Sequence, residues 1–274
     1  DPITGVVVVN RMRRLPAATG AERIGQMMKD VLSAPYDLGD RHARLSASFG
    51  FAIYPFAGEE FDDLLKSAET ALYRSKRNGR GQITVYSTEI AQEMKRATQI
   101  EQALRGAIIS DAVDVHFQPI VRIQDGTIAG FEALARWHDP DLGFVSPAVF
   151  VPLAEEQGFI DSLSETLLRK AAEAALSWPR ELFLSFNLSS VQLTDPRTSA
   201  NILATLARVG LSPQRLEIEI TETAVMTSAD TARRIIDDLR THGVRISLDD
   251  FGTGQSSLGR LRDFAFDKVK IDRA

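Results

Sequence analysis

Apolar residues along the chain fall into two rhythms, and the change near residue 111 divides it. In the first stretch, Val6-Val7-Val8-Val9 is a β-branched run of the buried-strand kind. Ile24, Met27, Met28, Val31 and Leu32 recur at helical spacing and stop before Pro35. Asp37-Leu38-Gly39-Asp40 is a turn signal between strand-like runs, the second of which spans 45–51 and leads to Tyr54-Pro55. Phe61, Leu64, Leu65, Ala68, Ala71 and Leu72 mark one face of a helix that ends at Asn78-Gly79. A last short strand covers 83–86. Helices mixed with an antiparallel hairpin predict an α+β unit over 1–87. Residues 88–110 read as a connecting helix, in which Ile90, Met94, Ile100 and Leu104 punctuate a charged stretch. It is either a solvated spacer or a rod that transmits motion.

From Asp111 strand-like runs occur at 115–121, 128–137, 182–189, 215–222, 245–250 and 266–272, with helical segments between them after the second. Ser146-Pro147 and Asp195-Pro196 place an N-cap before a proline, and Gly158, Gly210 and Gly243 stand where C-terminal caps belong. Repeated β-α units predict a mainly parallel sheet, open or closed into a barrel. The strands alternate more than ordinary buried parallel strands do. Leu184 and Phe186 oppose Ser185 and Asn187; Leu216, Ile218 and Ile220 oppose Glu217, Glu219 and Thr221; Ile246 and Leu248 oppose Ser247 and Asp249; Val269 and Ile271 oppose Lys268 and Lys270. The apolar faces are expected to pack on helices. That leaves one shared interior lined by Glu132, Asn187, Glu219, Asp249 and Lys270. Three carboxylates and an amide oxygen are hard donors suited to Mg²⁺ or Mn²⁺. An antiparallel sheet with one wet face is the other arrangement such alternation allows.

Composition narrows the chemistry. The 274 residues hold 32 Lys plus Arg against 37 Asp plus Glu, a net charge of -5, which argues against a coat for a polyanion but leaves room for a small phosphorylated ligand. With no Cys there is no disulfide, thiolate nucleophile or thiolate metal site. No apolar run reaches membrane-span length. The start at Asp1-Pro2 reads as a piece of something longer, and a cytoplasmic location is expected.

The ordered motifs carry a resemblance. Gln118-Pro119-Ile120, Phe131-Glu132-Ala133-Leu134-Ala135-Arg136-Trp137, Asn187-Leu188-Ser189, Glu219-Ile220-Thr221-Glu222, Asp249-Asp250-Phe251-Gly252-Thr253-Gly254 and Lys270-Ile271-Asp272 follow one another along the chain. Residues 111–274 so resemble an EAL-type phosphodiesterase domain. The resemblance implies a TIM-like (β/α) barrel and metal-dependent hydrolysis of cyclic di-GMP to linear pGpG, with two Mg²⁺ or Mn²⁺ ions per site. It implies that Glu132, Asn187, Glu219 and Asp249 hold the first metal, that Asp249 bridges to the second, and that Asp250 stands beside it. Lys270 holds or deprotonates the bridging water. A carboxylate cluster raises its pKa, so orientation of the water is the expected role. Arg136 is placed to meet a substrate phosphate, and Gln118 and Leu134 to line the nucleotide cleft. Glu222, on the opposite strand parity from Glu219, anchors the loop that carries Asp249 and Asp250. Gly252 and Gly254 let that loop turn. The same loop implies a homodimer, although Gln255 stands where an aromatic is common.

Residues 1–87 resemble the C-terminal part of a GGDEF domain, through 46–55 as its core strand and 68–80 as its last helix. Where the signature should stand the chain reads Asp1-Pro2-Ile3-Thr4-Gly5, so the signature is either degenerate or missing from this chain, and no cyclase activity is expected from this part. GTP binding in a regulatory role is expected; Lys76 matches a position near the nucleotide phosphates, and a solvated helix lysine fits it equally well. Six strand units are counted where a closed barrel has eight, so the barrel is expected to continue past Ala274, with a further metal-binding Glu and a substrate-side Gln. Two other functions fit parts of the pattern. One is a receptor that binds cyclic di-GMP without cleaving it, disfavoured because the visible ligands are present. The other is an unrelated Mg²⁺ barrel enzyme that uses Lys270 as a carbon-acid base.

Overall fold

The computed structural model describes residues 17–37, 39, 41–251 and 264–271. The side chains of Ala17, Met226, Thr227, Asp250 and Phe251 lie outside that description. So do the expected strand at 6–9, Gly252, Gly254, Gln255 and Asp272. The chain divides into two compact units, Asp1–Gln99 and Ile100–Ala274.

The first unit holds α1 (Ala17–Leu32), β1 (Tyr36–Asp37), β2 (His42–Ala43), β3 (Phe49–Phe51), α2 (Phe61–Arg77) and β4 (Ile83–Val85). On either side of the 37–40 turn signal, β1 and β2 do form an antiparallel pair. The run at 45–51 is not its second arm: only 49–51 is strand, and it pairs in parallel with β4. The intervening α2 makes that crossover possible. Asp62 and Asp63 in its first turn and Arg74, Lys76 and Arg77 in its last suit the helix dipole. Along the connecting helix α3 (Thr88–Ile109), Ile90, Met94, Ile100 and Leu104 are all buried, so it is not a wholly solvated spacer.

The second unit continues with β5 (Asp114–Val121), β6 (Ile128–Asp139), β7 (Gly143–Val145), α4 (Pro147–Glu156), α5 (Ile160–Leu176), β8 (Phe183–Asn187), α6 (Thr198–Val209), β9 (Leu216–Thr221), α7 (Glu222–Thr227), α8 (Ala229–Thr241), β10 (Arg245–Phe251) and β11 (Lys268–Ile271). Its sheet runs β11-β10-β9-β8-β6-β5, with β7 on the end of β6. β6, β8, β9, β10 and β11 are parallel, and β5 is antiparallel to β6. This is the α/β, TIM-like arrangement, seen among the described residues as an open arc.

Leu184, Phe186, Leu216, Ile218, Ile220, Ile246 and Leu248 are buried in one core with the apolar stripes of α5 and α8, such as Ala232, Ile235, Ile236 and Leu239. Gly158, Gly210 and Gly243 take φ of 74, 88 and 92°, as C-terminal caps require. Ser146 occupies the N-cap position of α4 ahead of Pro147, with extended backbone and no side-chain hydrogen bond to the helix. Three readings need correction. Asp195 does not cap α6, which starts at Thr198. Its carboxylate instead accepts from the backbone and guanidinium of Arg197, forming a turn before the helix. Val269 and Ile271 remain 49% and 82% exposed, since β11 is the last strand of the sheet among the described residues. β7 was not expected, although the Asp139 to Gly143 turn between two apolar runs signals a hairpin.

Candidate functional site

Strand parity puts one residue in two on the face turned away from the helices. On β5 and β6, Gln118 lies level with Glu132, His116 with Leu134 and Asp114 with Arg136. Across the parallel strands, Glu132 lies level with Ser185, Asn187 with Glu219, and Glu219 with Ser247. Asp249 lies level with Thr221 one step further on. All of these residues share the polar face.

Five of the expected side chains meet there. The Lys270 Nζ donates to Glu219 Oε2 at 2.6 Å and to Asp249 Oδ2 at 3.1 Å, and stands 3.6 Å from Glu132 Oε2. Asn187 Nδ2 donates to Glu132 Oε1 at 2.8 Å. Glu219 is only 1% exposed. Its other oxygen accepts from Ser185 Oγ at 2.5 Å. Ser185 belongs to the site although its sequence marks it only as polar; its shared parity with Asn187 is the signal that could have found it.

The charges set each other. Burial pushes the Glu219 carboxyl up, the Lys270 and Ser185 hydrogen bonds pull it back, and the Glu132 charge adds to the rise. For Lys270, burial works to lower the pKa. The hydrogen bond and charge of Glu219, the charge of Glu132 and the hydrogen bond to Asp249 outweigh it, so the ammonium is held above the ordinary lysine value. Lys270 is therefore charged at neutral pH.

The other expected residues are arranged around this cluster. Arg136 is half-buried and its Nη1 donates to the carbonyl of Ala135 at 2.8 Å. Gln118 is exposed and Leu134 half-buried. Glu222 is buried and opens α7, directly after Thr221, whose hydroxyl accepts from the Ala224 N–H. It does not join the contacts to Lys270.

Among the described residues no three carboxylate or imidazole groups stand ready as a ligand cage. The three carboxylates converge on the Lys270 ammonium instead. The donor set nevertheless fits a hard divalent cation. It offers carboxylate oxygens from three strands, already gathered around one positive charge, and an adjacent amide.

A family profile described as "EAL domain" matches residues 101–274, and one described as "Diguanylate cyclase, GGDEF domain" matches residues 6–82. An "Uncharacterized signaling protein" of Caulobacter vibrioides is 38% identical over 94% of this chain and 32% of its own length. "Cyclic di-GMP phosphodiesterase NbdA" of Pseudomonas aeruginosa is 35% identical over 93% of this chain and 32% of its own. The solved structure titled "PaMucR Phosphodiesterase, c-di-GMP complex" superimposes with a TM-score of 0.60 at 35% identity, covering 64% of this chain and 72% of that one. The chain spans about a third of the length of the curated relatives it matches.

Proposed function

The chain belongs to the EAL domain family, and from that premise we propose that it carries the hydrolytic site of a phosphodiesterase that converts cyclic di-GMP to linear pGpG. One observation carries the reading: Glu132, Asn187, Glu219, Asp249 and Lys270, from five strands, meet on one polar face. A partly buried cluster of three carboxylates and one ammonium, with Glu219 fully enclosed, needs a purpose, since an apolar filling of the enclosed space would stabilise the fold at least as well.

In this reading Glu132, Asn187, Glu219 and Asp249 would hold a Mg²⁺ or Mn²⁺ ion, and Asp249 and Asp250 would serve a second. The ions supply activation of water and charge neutralisation at phosphorus. Lys270 Nζ keeps its proton and donates a hydrogen bond to the attacking water, fixing the direction of approach. Arg136 turns its guanidinium from the Ala135 carbonyl to a substrate phosphate, where a planar fork is the suited partner. Gln118 and Leu134 form the wall beside the base. Glu222, at the start of α7, would anchor the segment that carries Asp249 and Asp250.

Residues 1–87 act in this proposal as a GGDEF-like regulatory part that binds GTP, joined through the helix at 88–110, and two copies pair through the EAL part. No described helix is long and apolar enough to cross a membrane. The test incubates the full protein with cyclic di-GMP and Mg²⁺ or Mn²⁺ and separates the products. Linear pGpG supports the reading. Tight binding of cyclic di-GMP with no product replaces it with a receptor.

A further inference from the structure

One step nearer the strand starts, a second acid–base pair repeats the first. β9 carries Glu217 two residues before Glu219, and β11 carries Lys268 two residues before Lys270. Lys268 Nζ donates to Glu217 Oε1 at 2.6 Å, the same separation as Lys270 to Glu219. β10 lies between β9 and β11, so both pairs pass over the middle strand. Ser247 lies between the two pairs, level with Glu219 of one and Lys268 of the other, while Glu217 is level with Arg245. It is fully buried, and its hydroxyl has no hydrogen-bond partner among the described residues. A short side chain at that point lets acid and base meet across a strand.

The lower pair is built in on several sides. Glu217 is 2% exposed. Arg245 of β10 stands 3.8 Å from its second oxygen. Arg245 and Lys268 both lie over the Phe183 ring, at 4.4 and 4.6 Å from its centroid. Phe183 in turn is seated by Gly130, where a Cβ would lie 2.4 Å from the Phe183 carbonyl and 2.8 Å from its ring.

The backbone ladder does not place Lys270 by itself. β10 and β11 are in register at Ser247–Lys268 and Leu248–Val269, and the register then shifts before Phe251–Ile271. Lys270 stands opposite that irregularity, which is where Asp249 and Asp250 lie. The last regular rung is Leu248–Val269, and the last one on the face of Lys270 bears Lys268.

We propose that Glu217 and Lys268, meeting across β10 beside Ser247, are positioning residues that lock β11 to β9 and thereby aim Lys270 Nζ at Glu219 and Asp249. The consequence for turnover rests on the role of Lys270 proposed above; the placement of Lys270 does not.

The experiment uses Lys268→Met, Lys268→Arg and Glu217→Gln in the full protein, each first shown folded by circular dichroism. The first readout is competitive acylation of lysines, with Lys270 followed by mass spectrometry. Lys270 is expected to label faster in Lys268→Met and Glu217→Gln than in the parent, and at the parent rate in Lys268→Arg. The second is steady-state kinetics. Lys268→Met should lower kcat by about tenfold with KM unchanged, within the range that small misplacements of a reacting group cost. In a Lys270→Ala background it should cause no further loss. Unchanged Lys270 labelling in the folded variants would overturn the brace, as would an equal loss of kcat with and without Lys270. Should Lys268→Met fail to fold, Glu217→Gln, which keeps the side-chain shape, carries the same comparison. Should the parent show no hydrolysis, the phosphodiesterase reading fails, while the labelling result still decides the brace.

Discussion

Replacing Lys270 by Met removes the cation at the centre of the site and keeps most of its stem. The structure sets the size of the effect. The ammonium has carboxylate oxygens at 2.6, 3.1 and 3.6 Å. Each contact is of order 5 kcal/mol at an effective dielectric constant of about 20. Desolvation of the four charges opposes most of that sum. Removing one partner of a fully buried pair costs about 3–5 kcal/mol, because the remaining charge is left uncompensated. Lys270 is 31% exposed and Glu132 and Asp249 are partly exposed, so water screens part of the loss. The expected destabilisation is about 2–3 kcal/mol, which for a domain of this size lowers Tm by about 4–12 °C. A divalent ion should reverse it, since the freed carboxylates are its proposed ligands. The assay is urea or thermal unfolding of the parent and Lys270→Met, each with EDTA and with Mn²⁺. Mn²⁺ should raise the Tm of the variant more than that of the parent. A variant as stable as the parent in EDTA would refute the balance of charge described here. An equal Mn²⁺ shift in both proteins would refute competition between lysine and metal.

Three further outcomes follow from particular contacts. Glu132→Ala and Asp249→Asn should each weaken Mn²⁺ binding by calorimetry beyond the roughly 10–100-fold that outer-shell substitutions cost; unchanged affinity in both would remove these residues from the ligand set. Gly130→Ala should destabilise the fold by about 1–3 kcal/mol in urea unfolding, because its Cβ meets the backbone of Phe183 and not a movable side-chain end; a neutral result would mean that the floor of the sheet yields easily. The hydrogen bonds from the Arg197 guanidinium and backbone pull the Asp195 carboxyl down to about 2. Its folded value lies below the ordinary 3.8, so the stability it lends is present at neutral pH and is lost as pH falls from near 3.8 through about 2. A carbon-detected NMR titration should find that low midpoint, and Arg197→Ala should raise it only part of the way back, because the backbone hydrogen bond remains.

The face shared by Glu132, Asn187, Glu219, Asp249 and Lys270 was legible in the sequence because it depends on local geometry. A strand turns alternate side chains to opposite sides whatever its neighbours do, so parity along each run names the residues of a common surface. Helix caps at Gly158, Gly210 and Gly243 are local in the same sense. Strand partners are not. The 45–51 run held no sign that it would pair in parallel with 83–85 across a helix, nor did Val269 and Ile271 that their face would stay open. The same holds for contacts across an intervening strand. Glu217 and Lys268 are 51 residues apart, and nothing near either one announces the other. Their meeting depends on strand order, on the register of two ladders, on a serine small enough to reach over, and on the shift in register beside Asp249. Parity is a property of a few covalent bonds, whereas the distance between side chains on separate strands is a sum over the whole sheet and exists only once the sheet has formed.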